Sequence, residues 1–182
     1  MWAGQMLCES FNSVLKHIVQ EDRPNEELGD GYGFPSSHSQ WMGYFAGFLA
    51  LHFSLRHRFV STGFRLLDWA RDIFLFSFII SWSVAVAYSR YYLSYHTASQ
   101  VLWGFGIGVA FGAAYYLLME FVSVRFPNSL PGRLRTAILT NPLCAWFRLR
   151  DGWAVWPDAG TEAQYRLWRK EWDRQRIPAK QD

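Results

Sequence analysis

The chain has 182 residues, a length that suggests one domain. It is 51% hydrophobic and 19% aromatic, yet its mean hydropathy is only −0.06, because an apolar part up to about Val122 is averaged with a polar, Arg- and Trp-rich remainder. The net charge of +3 is modest and no nucleic-acid partner is expected; Cys8 and Cys144 lie far apart in unlike segments, which argues against a disulfide and against a zinc site.

The first apolar segment, residues 1–19, is weak, since Glu9, Asn12 and Ser13 interrupt it. Three clearer ones follow at residues 40–54, 73–88 and 101–122. Crossing a bilayer takes about 20 residues, so the middle two are short unless their polar flanks are helical too. The start of the chain has no basic stretch and no small-residue cleavage site, so it does not read as a signal peptide. The expected fold is all-α: a multi-pass transmembrane helical bundle of about four spans over residues 1–122, followed by a basic cytoplasmic tail over residues 123–182. A soluble bundle with buried helices is the alternative. Trp and Tyr near segment ends and the layout of charge favour the membrane.

That layout is uneven. Of the 18 Lys and Arg residues, only Lys16, Arg23 and Arg90 fall on one side when the segments alternate across a bilayer. The other fifteen fall on the opposite side, which the positive-inside rule assigns to the cytoplasm. The acidic residues Glu21, Asp22, Glu26, Glu27 and Asp30 share the cation-poor side. In the last segment Gly104, Gly108 and Gly112 recur every four residues, a spacing that lets helices approach closely in lipid. A nucleotide-binding glycine loop would need a preceding strand, and no strand pattern is visible.

Three polar clusters interrupt the apolar pattern, all on the cation-poor side: Lys16-x6-Arg23-Pro24, Pro35-Ser36-Ser37-His38, and Ser89-Arg90-x5-His96. Together they offer three cations, two histidines and several hydroxyls. Arg forks and a Lys point charge suit phosphate oxygens, and residues 36–38 and 96 open apolar segments whose first N–H groups can bind an anion. Taken singly, each cluster also reads as an interfacial anchor or a polar helix boundary. Their shared face favours a joint function. His52 and His57 sit near the opposite end and read as residues without partners.

The clusters resemble the three-part signature of the type 2 phosphatidic acid phosphatase superfamily: Lys-x6-Arg-Pro, Pro-Ser-Gly-His, and Ser-Arg-x5-His-x3-Asp. Order and internal spacing agree. The stretches FNSVLKHIVQEDRP, YGFPSSHSQWM, YSRYYLSYHTASQVLWG and WFRLRD are similar to the dolichyl-diphosphatase branch, so the resemblance covers most of the chain. It implies that His96 is the nucleophile, forming a phosphohistidine, and that His38 is the general acid. It implies that Lys16, Arg23 and Arg90 hold the phosphoryl oxygens with the Ser36 hydroxyl and the Ser37 amide. No cofactor or metal is implied, because fixed cations occupy that place.

The sequence departs from the pattern at three points. Ser37 replaces the Gly, which a site using only the backbone N–H tolerates. Gln100 stands in place of the Asp, four residues after His96 and so on the same helical face. Gln can accept an imidazole N–H bond and orient the ring but brings no charge; the dolichyl-diphosphatase branch is similar in having Gln there. The family core has six helices and about four are visible here, so the resemblance implies an N-terminally truncated version of it. The implied reaction is hydrolysis of dolichyl diphosphate to dolichyl phosphate and phosphate at the lumenal face of the endoplasmic reticulum membrane, with the bilayer holding the polyprenyl chain and the product recycled for protein N-glycosylation. Another lipid phosphatase, acting on phosphatidate or sphingoid phosphates, and a catalytically dead membrane scaffold stay open as alternatives. For the tail, binding along an anionic membrane surface through its Arg and Trp residues and a plain solvated helix stand as equal readings.

Overall fold

The computed structural model describes residues 1–25 and 31–176, so Glu26, Glu27 and Asp30 of the acidic group lie outside the described residues. The described residues form helices and no strands. Helix α1 spans Trp2–Val19, α2 Ser37–Leu55, α3 Arg65–Tyr92 and α4 Ala98–Tyr116; α4 continues through a π-helical stretch, Leu117–Val122, into α5, Ser123–Arg125. The remainder holds α6 (Leu130–Thr140), α7 (Pro142–Trp146), a 3-10 turn (Gly152–Ala154) and α8 (Thr161–Arg176).

Among the described residues two helices are long and apolar enough to cross a membrane, Arg65–Tyr92 and Ala98–Arg125, each of 28 residues. In both, polar flanks that the hydropathy pattern leaves outside the apolar segment continue the helix. The outer face of α3 is what such a span needs: Leu67, Phe74, Phe78, Trp82 and Tyr88 are each more than half exposed. Phe74, Phe78 and Trp82 stack along it at i, i+4 spacing. An apolar stripe of that extent calls for cover by lipid or protein.

Helices α2 and α4 run parallel in the closest contact of the fold, and small residues on both make it possible. A Cβ on Gly104 would come within 2.6 Å of the Ser36 carbonyl, one on Gly108 would strike the Gln40 carbonyl, and one on Gly112 would meet that of Tyr44. From the other side Gly43 and Gly47 lie against the Phe105 and Val109 backbones. The predicted glycine stripe is therefore one half of a two-sided seam. The other half, Gly43-x3-Gly47, was legible at the same spacing. A small core of Cys8, Tyr44, Phe48 and Tyr116 lies beside the seam.

Helix α1 lies antiparallel to α2, and the polar residues that weaken its hydropathy make the contact. Trp41 Nε1 donates to Glu9. Asn12, fully buried, donates from Nδ2 to Gln40 Oε1 at 2.6 Å and accepts from Ser37 Oγ at 3.0 Å. Gln40 Nε2 in turn donates to the Cys8 carbonyl at 3.0 Å. Buried polar groups must be paired, and pairing them across two helices fixes their register.

At the far end the tail folds back on the bundle. Arg56, at the end of α2, bonds Glu120 in the π-helical stretch and Asp151 in the tail; Asp151 also pairs with Arg135 of α6. His57, which reads from the sequence as a residue without a partner, has a hydrogen bond here, whereas His52 has ring contacts and its buried Nδ1 has no hydrogen-bond partner among the described residues. Trp153 Nε1 donates to His57 Nδ1 at 3.0 Å, and the Trp153 ring meets the His52 ring edge-on with centroids 4.6 Å apart. These contacts join residues 96 to 101 positions apart, so no local pattern announces them.

Candidate functional site

With α2 and α4 parallel and α1 and α3 running the other way, four helix ends meet at one end of the bundle. The C-terminal turn of α1 brings Lys16. The start of α2 brings Ser37 and His38. The last turn of α3 brings Arg90, and the α3–α4 connection brings Tyr95 and His96. These six residues and Arg23 line one cavity of about 260 Å³. All three sequence clusters thus contribute to a single pocket.

Local structure explains each placement. Helix α1 ends at Gln20, which takes a left-handed conformation (φ 52°) and donates its N–H to the Lys16 carbonyl. The chain then turns toward the pocket with Arg23, whose Nε donates to the Gly31 carbonyl at 3.1 Å. Ser36 opens α2 and leaves the first N–H groups of that helix, among them those of Ser37 and His38, without intrahelical partners. The Arg90 guanidinium lies over the Tyr95 ring at 5.3 Å and its Nε donates to Ser89 Oγ at 3.3 Å. The ring supports the guanidinium without neutralising it.

Helix α4 starts with a capping box. Thr97 Oγ1 accepts from the Gln100 N–H, and Gln100 Oε1 accepts from the Thr97 N–H, both at 3.2 Å. The same Gln100 oxygen lies 3.2 Å from His96 Nδ1. An amide oxygen only accepts, so Nδ1 is the donor and Nε2 carries the ring's lone pair. Burial pushes the His96 imidazole below its ordinary value, with Arg23 and Lys16 adding to the effect and the Gln100 bond and a backbone bond at Gly33 opposing it. The ring is therefore neutral, with an unprotonated nitrogen, at neutral pH.

Two sequence candidates stand behind the cavity wall. Ser36 is fully buried: its Oγ accepts from Ser39 Oγ at 3.1 Å and its N–H donates to the Gln100 carbonyl at 3.2 Å. Gln100 is also fully buried and reaches the cavity only through His96. The Ser37 hydroxyl is engaged with Asn12, which leaves its N–H as the group to meet an anion. The motifs did not point to Asn12, Tyr95 or Glu21. Asn12 interrupts an apolar helix one turn before Lys16, and Tyr95 immediately precedes His96; both positions were visible signals.

Three cations, two imidazoles and the N–H groups that open a helix are a set of groups that can receive a phosphoryl group. The cations and N–H groups can hold non-bridging oxygens, one histidine can attack and the other can exchange a proton. Among the described residues no group of three or more His, Cys, Asp or Glu side chains forms a metal cage.

The chain is similar to Dolichyldiphosphatase 1 of Dictyostelium discoideum, 36% identical over 154 residues, which is 83% of this chain and 62% of the relative. It is 34% identical to human Dolichyldiphosphatase 1 over 154 residues, 81% of this chain and 60% of the relative. It is 32% identical to the dolichyldiphosphatase of Saccharomyces cerevisiae over 127 residues, 65% of this chain and 50% of the relative. The chain thus spans roughly half to two thirds of the length of these relatives. No solved structure matches it. The profile of the PAP2 superfamily matches residues 2–123, which covers α1 to α4 and every residue of the cavity, and the chain belongs to that superfamily.

Proposed function

We propose that this chain carries the catalytic bundle of a lipid phosphatase that hydrolyses dolichyl diphosphate to dolichyl phosphate and phosphate. The observation that carries the reading is the convergence of Lys16, Arg23, Arg90, His38 and His96 on one cavity. The names of the relatives favour a polyprenyl diphosphate as substrate.

In this mechanism Lys16, Arg23, Arg90 and the N–H groups that open α2 hold the terminal phosphoryl oxygens. His96 Nε2 attacks the terminal phosphorus. The N–P bond forms as the bridging P–O bond breaks, and His38 gives its proton to the departing dolichyl phosphate. His38 then takes a proton from a water that attacks the phosphohistidine, which releases phosphate and restores His96. Gln100 holds the His96 ring in the tautomer this requires. Ser36 contributes by shaping the start of α2 from behind the wall. The distribution of Lys and Arg favours a site on the side away from the cytoplasm, with residues 123–182 in the cytoplasm; in this reading that side is the lumen of the endoplasmic reticulum, and the released carrier lipid re-enters protein N-glycosylation. This topology requires α1 and α2 to cross the bilayer beside the two longer apolar helices.

Phosphate release by the purified chain in detergent with EDTA tests the proposal, with dolichyl diphosphate and phosphatidate compared and a His96→Ala variant alongside. Release from dolichyl diphosphate that survives EDTA and disappears in the variant supports it. Preference for phosphatidate moves the substrate to a glycerolipid. No release from either substrate leaves a non-catalytic membrane protein.

A further inference from the structure

The position where the superfamily signature has an aspartate holds Gln100, yet a carboxylate lies one amide away. Gln100 Nε2 donates to Glu21 Oε1 at 2.8 Å and to the Asp22 carbonyl at 2.9 Å. Its Oε1 faces His96 Nδ1 and the Thr97 N–H, each at 3.2 Å. Glu21 and the Asp22 carbonyl are acceptors, and the Thr97 N–H is a donor. The Gln100 amide therefore has one orientation that satisfies all four partners. A flip would set an NH2 group against the Thr97 N–H and an oxygen against a carboxylate.

The Glu21 end of this chain of bonds is held in place by its backbone. The Glu21 carbonyl accepts the Gly33 N–H at 2.6 Å. A Cβ on Gly33 would come within 2.7 Å of Gln100 Nε2 and 2.9 Å of the Asp22 carbonyl, so the bare glycine leaves room for the amide to sit between two loops. The left-handed turn at Gln20 directs the chain there immediately after α1 ends.

We propose that Glu21 is a positioning residue of the phosphatase site: acting through Gln100, it fixes the His96 tautomer and supplies the negative charge that stabilises the imidazole as it becomes cationic. The inference rests on the phosphatase reading for its catalytic consequence. Its physical basis is that a carboxylate bonded to one end of an amide polarises it and makes the oxygen at the other end a stronger acceptor. The charge is felt at one remove and Glu21 is exposed to solvent, so the effect is smaller than that of an aspartate in direct contact. Lys16, Arg23, Arg90 and His38 share the cavity with His96, and of these Lys16 and Arg23 oppose a positive ring; the Gln100 bond and a backbone bond at Gly33 favour it, and Glu21 stands behind the Gln100 amide.

The test follows the ring itself. Protein with 15N-labelled histidine is titrated by NMR in detergent micelles, and the His96 signals are assigned against His96→Gln. Glu21→Gln removes the charge and keeps the size. The expected result is an Nδ1–H tautomer in the wild type and a His96 midpoint about half a pH unit lower in Glu21→Gln. The kcat for dolichyl diphosphate falls by about threefold, the factor that half a pH unit represents, with KM unchanged. Glu21→Asp restores part of both. A His96 midpoint unmoved in Glu21→Gln, or an Nε2–H tautomer in the wild type, overturns the proposal whatever turnover does. A wild type that releases no phosphate sinks the phosphatase reading alone, because the ring titration decides the role of Glu21 without turnover.

Discussion

The backbone carbonyl of Arg90 accepts the N–H of His96 at 3.2 Å and that of Tyr95 at 3.1 Å. A cation and the proposed nucleophile are thus bound to each other through the main chain, with Ser94 in the left-handed region (φ 57°) to close the turn. The five residues between them are the length of this turn. The spacing in the motif therefore has a mechanical meaning: it sets a guanidinium and an imidazole at the edge of one pocket through a main-chain turn.

If His96 is the nucleophile, His96→Ala abolishes turnover. A loss on the order of 10⁴-fold or more is expected. Substrate labelled in the terminal phosphate leaves label on the wild-type protein after rapid quench in base, where phosphohistidine survives, and none on the variant. Label retained by His96→Ala would assign the nucleophile elsewhere.

The pH dependence follows from burial. Attack needs the Nε2 lone pair, and protonation occupies it, so activity falls as pH drops through the His96 midpoint. Burial holds that midpoint below the ordinary 6.5. The profile of kcat/KM is expected to fall on its acid side below pH 6.5, where His96 takes up a proton, and to fall again on the alkaline side as His38, the proton donor of the first step, loses its own. An acid limb above neutrality would contradict the environment seen here.

The seam between α2 and α4 predicts a contrast between two glycines two positions apart on α4. Gly108→Ala puts a methyl group into the Gln40 carbonyl and within 2.8 Å of the Tyr44 nitrogen, both backbone atoms that can yield only by parting the helices. It should cost about 1–3 kcal/mol and lower the melting temperature in detergent. Gly106→Ala meets nothing within 4 Å and should be neutral or stabilising by up to about 1 kcal/mol, through helix propensity. Equal melting shifts in the two variants would dissolve the case for the seam.

Ser37→Gly restores the signature residue and removes a buried bond. Asn12 Oδ1 loses its donor, so stability should fall by about 1–2 kcal/mol. Substrate contact is assigned to the Ser37 N–H, so KM should stay at its wild-type value. A raised KM at unchanged stability would assign the hydroxyl to the substrate.

The tail contact is open to proteolysis. Asp151→Ala leaves Arg56 and Arg135 without a shared partner and unties the segment that carries Trp153. Loss of these part-buried charge-assisted bonds is expected to cost about 1–3 kcal/mol. Limited trypsin digestion should cut at Arg148 or Arg150 faster than in the wild type, with α1 to α4 still intact. An unchanged digestion pattern would show that Asp151 does not hold the tail.

By itself the sequence determined the apolar helices α1 to α4, the three polar clusters and the glycine stripe, because each is a short-range pattern: apolar runs mark helices, four-residue spacing gives one helix face, and the turn joining Arg90 to His96 closes within one motif. It also marked Glu9 and Asn12 as anomalies in an apolar helix, without the reason. Tertiary structure decided the rest. Parallel packing of α2 on α4 brought the clusters to one end, and it depended on Gly43 and Gly47 as much as on the predicted stripe. Asn12 found Ser37 and Gln40, Gln100 found Glu21 seventy-nine positions away, and His57 found Trp153. Such bonds join positions distant in the chain, and a hydrogen-bonding side chain carries no mark of its partner. Only the close approach of two helices, which removes water and leaves each buried polar group one place to bond, selects that partner.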